Sequence, residues 1–468
     1  MKTTVPTNHN FYAESPSSEE QLMADFSLRN KKELKLLKDE LFSSVQLLTT
    51  KDESLEQIKL FGFKEQRNKL YEEEQLLLKF YSKDSADGER QFFIQTGLFA
   101  GVIYYKGYQV NITSKHGDIF LRRMLNYIND IYIDNQKTDA IKSNETNEFQ
   151  NIIAYLFIQS LEKSSFLGLP KVYKDITQHS HKVRGKIDIN AYLRKSVPFS
   201  GKLTSTLREQ VYVQEIVDVL CLACTILEKK FGKEIHRKVL GISKLLKQNY
   251  SGNYPDLRTL EKAKGHISLQ NPIFSGFRRV IEYAEIIIKE QDLLSSKVNK
   301  TLKSQGYLFD ISQLFEVYLE KLLSRHFINW HVTGQEELTV YPNQFFKRKM
   351  FPDLVLKHKE TGKIIVFDAK FKTMNFKQKD LDRDDFYQIH SYIQYYLPNA
   401  VLGGLIYPLS KDNNGYSSYA NSLFENKAND AGFIVDGVYV DGEMSEVDII
   451  KNEQKFLGRI EQLINVLT

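Results

Sequence analysis

Cysteine is nearly absent from this chain: its 468 residues hold two, Cys221 and Cys224, beside a single tryptophan, Trp330. A C-x-x-C pair suggests zinc or redox chemistry, but a tetrahedral zinc site needs four ligands and no second pair exists. The two thiols also lie in the apolar run Val217–Leu227, so they are expected as small buried hydrophobes in a reducing compartment. Long hydrophobic runs are missing as well. The longest, Val219–Leu227, falls short of the roughly 20 residues that a bilayer-spanning helix requires. The polar opening, with Pro6 and Pro16, is unlike a secretory signal. A cytoplasmic protein with no membrane partner is the expectation. Neither H-E-x-x-H nor a Walker A loop occurs: no Gly-Lys dipeptide (at 185, 201, 232 and 362) is followed by Ser or Thr. Any nucleotide-driven step must then come from another chain. His179 and His181 read as a surface pair.

What is present suits a globular protein of two to four domains. Hydrophobic residues make up 42%, charged residues 26%, and mean hydropathy is −0.39. The 64 Lys/Arg against 59 Asp/Glu leave a net charge of +5, which permits nucleic-acid binding without arguing for it. Residues 1–90 carry apolar side chains at helical spacing (Leu34, Leu36, Leu37, Leu41) and predict a helical extension. Residues 91–135 predict a small β-containing domain, with a hairpin at Lys106-Gly107 and a helix over Phe120–Ile133. Polar residues 134–147 read as a linker. Residues 136–305 are mainly helical, with long periodic segments at Phe149–Lys163, Leu207–Lys230 and Ile273–Ile288 and one short β-like insertion at Val183–Ile189. Residues 306–468 predict an α/β domain: a helix over Ile311–Phe327, strands at 337–341, 351–357 and 363–372, a helix at 384–397 capped by Asp384/Asp385, strands at 400–407 and 432–440, and a terminal helix at 446–467. The fold class expected is α/β (α+β), with a mixed sheet flanked by helices in this last domain.

The chemistry concentrates there. In a strand, side chains alternate faces, so Asp368 and Lys370 project together while Phe367, Ala369 and Phe371 face the other way. A hairpin through Thr361-Gly362 brings Asp353 alongside. Two carboxylates held together repel unless a cation joins them, and an all-oxygen site with open positions suits Mg²⁺, with Mn²⁺ as a substitute. Such an ion polarises a phosphodiester and helps ionise water; beside it, Lys370 would have a lowered pKa and serve that water. Glu316 sits at the border of the preceding helix's apolar stripe and is a third candidate ligand. Gln388 and Tyr392, four residues apart, share a helix face suited to DNA contacts. Lys347, Arg348 and Lys349, with Lys372, Lys377 and Lys379, surround the motif, and ten Lys/Arg stand against four Asp/Glu between Asn343 and Asp380. They would neutralise phosphates.

Glu316, Asp353, Asp368-Ala369-Lys370 and Gln388-x-x-x-Tyr392 resemble the PD-(D/E)xK nuclease core with its Q-x-x-x-Y extension. Gly101-Val102-Ile103, Val110-Asn111-Ile112, Met124-Leu125-Asn126-Tyr127 and Arg184-Gly185-Lys186-Ile187-Asp188 resemble the McrC family of restriction subunits, including relatives in LlaJI- and BsuMI-type systems. The resemblance covers roughly residues 92 to 468, and Ser114-Lys115 departs from the Pro-Lys usual there. It implies a Mg²⁺-dependent endonuclease subunit acting on double-stranded DNA in phage defence. It also implies an AAA+ NTPase (McrB-like) partner, whose ring the N-terminal part plugs, and room for further restriction subunits. Two rivals stay open: a non-catalytic DNA-binding or assembly subunit with a vestigial nuclease fold, and a Q-x-x-x-Y repair-type nuclease acting on ends.

Overall fold

Residues 2–11, 15–51, 58–63, 74–85, 88–129, 148–195, 201–295, 305–372, 381–409, 418–420 and 431–467 are described in this computed structural model. The chain divides into two compact units, residues 1–130 with 299–468, and residues 131–298. The first opens with β1 (Lys2–Pro6), α1 (Glu19–Asp25), α2 (Lys31–Leu37), β2 (Gln46–Thr49), β3 (Ile58–Phe61), β4 (Leu76–Asp84), β5 (Arg90–Thr96), β6 (Phe99–Tyr105), β7 (Tyr108–Thr113) and α3 (Asp118–Asn129). The reading of residues 1–90 as helical is thereby corrected. Among the described residues only two seven-residue α-helices form, one behind a Ser18/Gln21 capping box and one behind Asn30, followed by a π turn at Lys38–Phe42. The other described elements are strands: β1 pairs with β7, and β4 pairs with β5 over seven residues. Pairing partners distant in sequence decide such segments, and local spacing does not reveal them. The hairpin at Lys106-Gly107 forms as expected, both residues holding positive φ (47° and 82°), the mirror-image turn that matches strand twist.

The second unit consists of α4 (Glu148–Ser164), β8 (Lys171–Ser180), β9 (Lys186–Ile187), α5 (Ile189–Lys195), β10 (Leu203–Tyr212), α6 (Gln214–Phe231), α7 (Leu240–Gln248), α8 (Leu257–Lys264) and α9 (Phe277–Ser295). Its helices bury Phe157, Leu220, Cys224 and Ile281. Neither thiol is in a disulfide, both are buried, and burial pushes them up, so they behave as hydrophobes. The mainly helical reading needs one correction. β8 and β10 pair along all ten residues, from Lys171 opposite Tyr212 to Ser180 opposite Leu203, so the periodic stretch from Leu207 splits into strand and helix at Val213. Cross-strand contacts favour the ribbon: Thr177 meets Thr206 at 3.1 Å, and Arg208 lies over Tyr173. Gly185 must be glycine, because a Cβ there would sit 2.4 Å from Thr206 O. The linker reading of 134–147, and the end of the helix predicted to reach Ile133, lie outside the described residues.

The chain returns to the first unit as β11 (Gln305–Asp310), followed by α10 (Ile311–His326), β12 (Trp330–Gly334), β13 (Leu338–Val340), β14 (Arg348–Met350), β15 (Leu354–His358), β16 (Ile364–Ala369), α11 (Arg383–Tyr396), β17 (Ala400–Leu409), β18 (Ser418–Ala420), β19 (Gly432–Tyr439) and α12 (Glu446–Leu467). The separation of 1–90, 91–135 and 306–468 into three domains is therefore corrected. β11 completes an N-terminal sheet of order β1-β7-β6-β11-β3, and Asp310 at its end caps α10 by accepting from Gln313 N–H. One strand thus ties both halves together. The second sheet has the order β12-β15-β16-β17-β19-β18. β12, β15 and β16 run antiparallel, while β16, β17 and β19 run parallel, with α11 as the crossover from β16 to β17. This is the expected mixed sheet flanked by helices. Among the described residues no helix is long and apolar enough to cross a membrane.

A buried polar lock joins α3, α10 and α12. Arg123 donates twice to Glu453, at 2.8 and 2.7 Å, and Tyr318 OH donates to the same carboxylate at 2.7 Å. The Phe120 and Tyr127 rings pack edge-on against Tyr318. Glu453 is 3% exposed, so removing its cation leaves an uncompensated charge, which costs about 3–5 kcal/mol. Arg123→Ala is expected to lower the thermal unfolding midpoint by several degrees, whereas Glu453→Gln, which keeps an acceptor for Tyr318, should lower it less. An Arg123→Ala midpoint equal to wild type would show that the lock carries no stability.

Candidate active site

The site is built on the β15–β16 hairpin. Its turn passes through Gly362 at φ 69°, closed by Gly362 N–H donating to His358 O at 3.1 Å. Leu354 is opposite Phe367, which puts Asp353 beside Asp368. Asp353 Oδ2 accepts the Ala369 N–H at 3.0 Å, so its carboxylate is fixed by the neighbouring strand's backbone. Asp368 is 1% exposed. Lys370, on the same strand face, brings Nζ to 2.6 Å from Asp368 Oδ2 and 3.4 Å from Asp385 Oδ1. It also donates to Gln388 Oε1 at 2.9 Å. Gln388 Nε2 donates to Tyr392 OH at 2.8 Å, and that hydroxyl donates to Phe351 O at 3.3 Å, closing a circuit two residues before Asp353. Asp353, Asp368, Lys370, Gln388 and Tyr392 therefore come together in one place.

Three residues, Glu316, Asp385 and Lys372, differ from the sequence reading. Glu316 on α10 accepts from Gln335 Nε2 at 3.5 Å, while the Gln335 N–H donates to Asp353 O at 3.2 Å. Glu316 is thus linked to the site through Gln335. Among the described residues no three His, Cys, Asp or Glu side chains converge to hold an ion. Asp385 was read as a helix cap; the cap is Asp382, which accepts from Asp384 N–H at 3.0 Å. Asp385 instead is buried between Lys370 and Lys372, with Lys372 Nζ at 2.5 Å. Its spacing of three from Gln388 puts it on the same helix face, a signal the sequence did contain. Lys372 also reaches Asp382 at 3.2 Å, so it is spent on carboxylates rather than free for phosphates. Lys347 and Arg348 are exposed on the β13–β14 ribbon, and Lys349 pairs with Glu337 at 2.6 Å. Lys377 and Lys379 lie outside the described residues.

The electrostatics follow from crowding like charges in a buried place. Burial first, and then Asp353, push the Asp368 carboxyl well above its usual range, against the pull of Lys370. Burial alone would lower Lys370, but Asp368, Asp385 and Asp353 outweigh it and hold the ammonium above its ordinary value. The lowering expected beside a divalent cation is therefore not a property of the chain's own residues. Burial, with Asp368, pushes Tyr392 up to about 12, which keeps it a hydrogen-bond donor at neutral pH. Asp368 Oδ2 is buried and meets the Lys370 ammonium at 2.6 Å without a well-aligned hydrogen bond. Two carboxylates side by side, one of them buried, fit a hard cation that needs only one or two carboxylates and keeps several waters.

A carboxyl whose pKa is raised by folding costs stability above that raised value and none below its unfolded value. Asp368→Asn is accordingly expected to unfold at a higher temperature than wild type near pH 8, with the advantage shrinking as pH falls toward about 5. Thermal scans across that range test it, and a lower midpoint for the variant at every pH would contradict the assignment.

The sequence matches the family described as McrBC 5-methylcytosine restriction system component over residues 94–408. No curated protein matches. Two solved structures are similar. One is a refined half-complex from the tetradecameric assembly of Thermococcus gammatolerans McrB AAA+ hexamers with bound McrC: 15% identity, covering 98% of this chain and 100% of that one, with a TM-score of 0.48. The other is the cryo-EM structure of the T. gammatolerans McrBC complex, at 15% identity, 70% and 88% coverage and a TM-score of 0.31. The family match spans the β15–β16 hairpin and α11, and with it every strand and helix that holds Asp353, Asp368, Lys370, Gln388 and Tyr392: the chain belongs to the McrBC 5-methylcytosine restriction system component family.

Proposed function

We propose that this chain is the Mg²⁺-dependent DNA endonuclease subunit of a multi-subunit, McrC-like restriction system in the cytoplasm, with a PD-(D/E)xK site and an AAA+ NTPase partner. The observation that carries the reading is the pairing of buried Asp368 with Asp353 across a hairpin, with the Lys370 ammonium 2.6 Å away on the same face. Asp353 and Asp368 would hold the ion, with Mn²⁺ a possible substitute, and Glu316 would act through Gln335. When bound, the ion supplies Lewis-acid polarisation of the scissile phosphodiester and neutralises charge that builds on it. Lys370 orients the attacking water, and would take its proton at Nζ as the neutral amine that a bound cation's charge would favour over the ammonium. Gln388 fixes the Lys370 rotamer, and Tyr392 fixes Gln388 by accepting from its amide. Lys347 and Arg348, and Lys349 to a lesser degree because of Glu337, neutralise phosphates of double-stranded DNA. A partner motor is supported by the absence of any Walker A loop from this sequence, and by the McrB AAA+ hexamers that hold McrC in the similar archaeal complex.

The test is reconstitution with the AAA+ partner, nucleotide and closed circular plasmid. Wild type with Mg²⁺ should yield nicked and linear product, and chelation should stop it. Asp368→Ala should abolish cleavage while still co-eluting with the partner. Lys370→Met should slow cleavage by about 10²–10⁴-fold, the usual contribution of a positioned proton-transfer group. Cleavage retained by Asp368→Ala would overturn the mechanism, and cutting confined to linear ends would point to a repair-type nuclease.

A further inference from the structure

The turn between β13 and β14 carries an aromatic cluster that the carboxylate site does not use. Tyr341, Phe345 and Phe346 are 58%, 98% and 45% exposed. Their rings rest edge-on against one another, Tyr341 with Phe346 at 5.3 Å and Phe345 with Phe346 at 5.0 Å. The backbone beneath them is two successive turns: Gln344 N–H donates to Tyr341 O at 3.1 Å, and Lys347 N–H donates to Gln344 O at 3.2 Å. Pro342 takes the second position of the first turn, where its locked φ suits the bend. Phe345 and Phe346 take the two central positions of the second, at the far end of the ribbon. Leaving such a ring in water forgoes about 1.5–3 kcal/mol of burial. Single exposed hydrophobes need no explanation, but a cluster of rings at a protruding tip marks a contact surface.

The charges around the tip select its partner. Tyr341 to Met350 contains Lys347, Arg348 and Lys349 and no acidic residue. Glu336 and Glu337, at the ribbon's root, are taken by Lys357 and Lys349, at 2.7 and 2.6 Å. Lys347 and Arg348 form no ion pair among the described residues. An apolar protein surface would match the rings and strand these two cations, whereas nucleic acid matches both, with base faces for rings and phosphates for cations. Position agrees. The root is pinned by Leu338, 3% exposed, and by Tyr392 OH on Phe351 O. Phe345 lies eight positions before Asp353, at most about 29 Å of extended chain. That is within roughly one turn of duplex, and a two-stranded ribbon fits a major groove about 12 Å wide.

We propose that Phe345 and Phe346 are a base-stacking wedge, inserted between neighbouring base pairs of the DNA within a helical turn of the phosphodiester held at Asp353 and Asp368, with Lys347 and Arg348 on the flanking phosphates. Apolar wedges of this kind unstack a step and kink the duplex. The inference rests on the nuclease reading for which DNA lies there, but its test involves no cleavage. The full-length chain, alone and with its AAA+ partner, is mixed in chelator with 30-base-pair duplexes carrying 2-aminopurine at stepped positions. Wild type should raise the fluorescence several-fold at one or two adjacent positions. Phe345→Ala with Phe346→Ala should remove that rise and weaken binding by about tenfold or more, with an unchanged unfolding midpoint, while Phe345→Trp should retain it. Lys347→Ala with Arg348→Ala should leave the position of the signal unchanged and flatten the log–log salt dependence by about 1.8. The wedge is overturned if wild type binds without unstacking any position, if neither chain nor complex binds the duplex, or if the double phenylalanine variant keeps DNA and loses the AAA+ partner instead. Unstacking without cleavage under Mg²⁺ would sink the nuclease reading and leave the wedge standing.

Discussion

A carboxylate that is almost fully buried beside another carboxylate governs the C-terminal sheet of this protein. Asp368 cannot be solvated where β16 places it, and Asp353 is held against it by the backbone of Ala369. The fold supplies one internal counter-charge, Lys370, and that ammonium is itself too buried to stand free. Asp385 and Gln388 on α11 complete its surroundings, and Lys372 balances Asp385 in turn. Each partner satisfies the one before it, until the chain ends at exposed Asp382 and at the carbonyl of Phe351. Buried polar networks are costly unless every member is satisfied. Here two carboxylate oxygens, on Asp368 and Asp385, meet lysine ammoniums at 2.6 and 2.5 Å without well-aligned hydrogen bonds.

The N-terminal sheet reaches the same neighbourhood. Asn8 Nδ2 donates to Phe371 O at 3.3 Å, and the buried His116 ring packs edge-on against Phe371, one residue beyond Lys370. Burial and then Lys115 push His116 down to about 4, so it is neutral and packs as an aromatic. Phe371 also meets Phe315 of α10. The segment just beyond β16 is thus gripped by residues from positions 8, 116 and 315. In the sequence, residues 131–298 fall between α3 and β11, and β11 pairs with β6 of the N-terminal sheet.

How much of this was legible in the sequence depends on how local each determinant is. The β15–β16 hairpin, the facing of Asp368 and Lys370, the pairing of Gln388 with Tyr392, and α10, α11 and α12 all follow from periodicities of two or 3.6 residues and a turn glycine. Tyr341-Pro342 and the two phenylalanines were in plain view but carried no periodic signal. The strands β1, β2 and β4 and the β8–β10 ribbon were missed because their stability comes from partners as much as a hundred residues away: Lys2 pairs with Gln109. Asp385 was misread because Asp382-x-Asp384-Asp385 offers three carboxylates for one cap, and spacing cannot say which one turns inward.

By itself the sequence determined residue chemistry and short-range geometry: two carboxylates and an amine at the spacing of a strand pair, a basic stretch around them, and too few cysteines or apolar residues in sequence for a zinc ribbon or a membrane span. Only the tertiary structure decided which charges are spent and which are free. Lys372 and Lys349 are neutralised by Asp385 and Glu337, Glu316 is reached through Gln335, and Lys347 and Arg348 are left exposed beside Phe345. The physical reason is range. Side-chain alternation and turn preference act over a few residues, whereas burial and Coulomb pairing depend on neighbours that only the folded chain brings within a few ångströms.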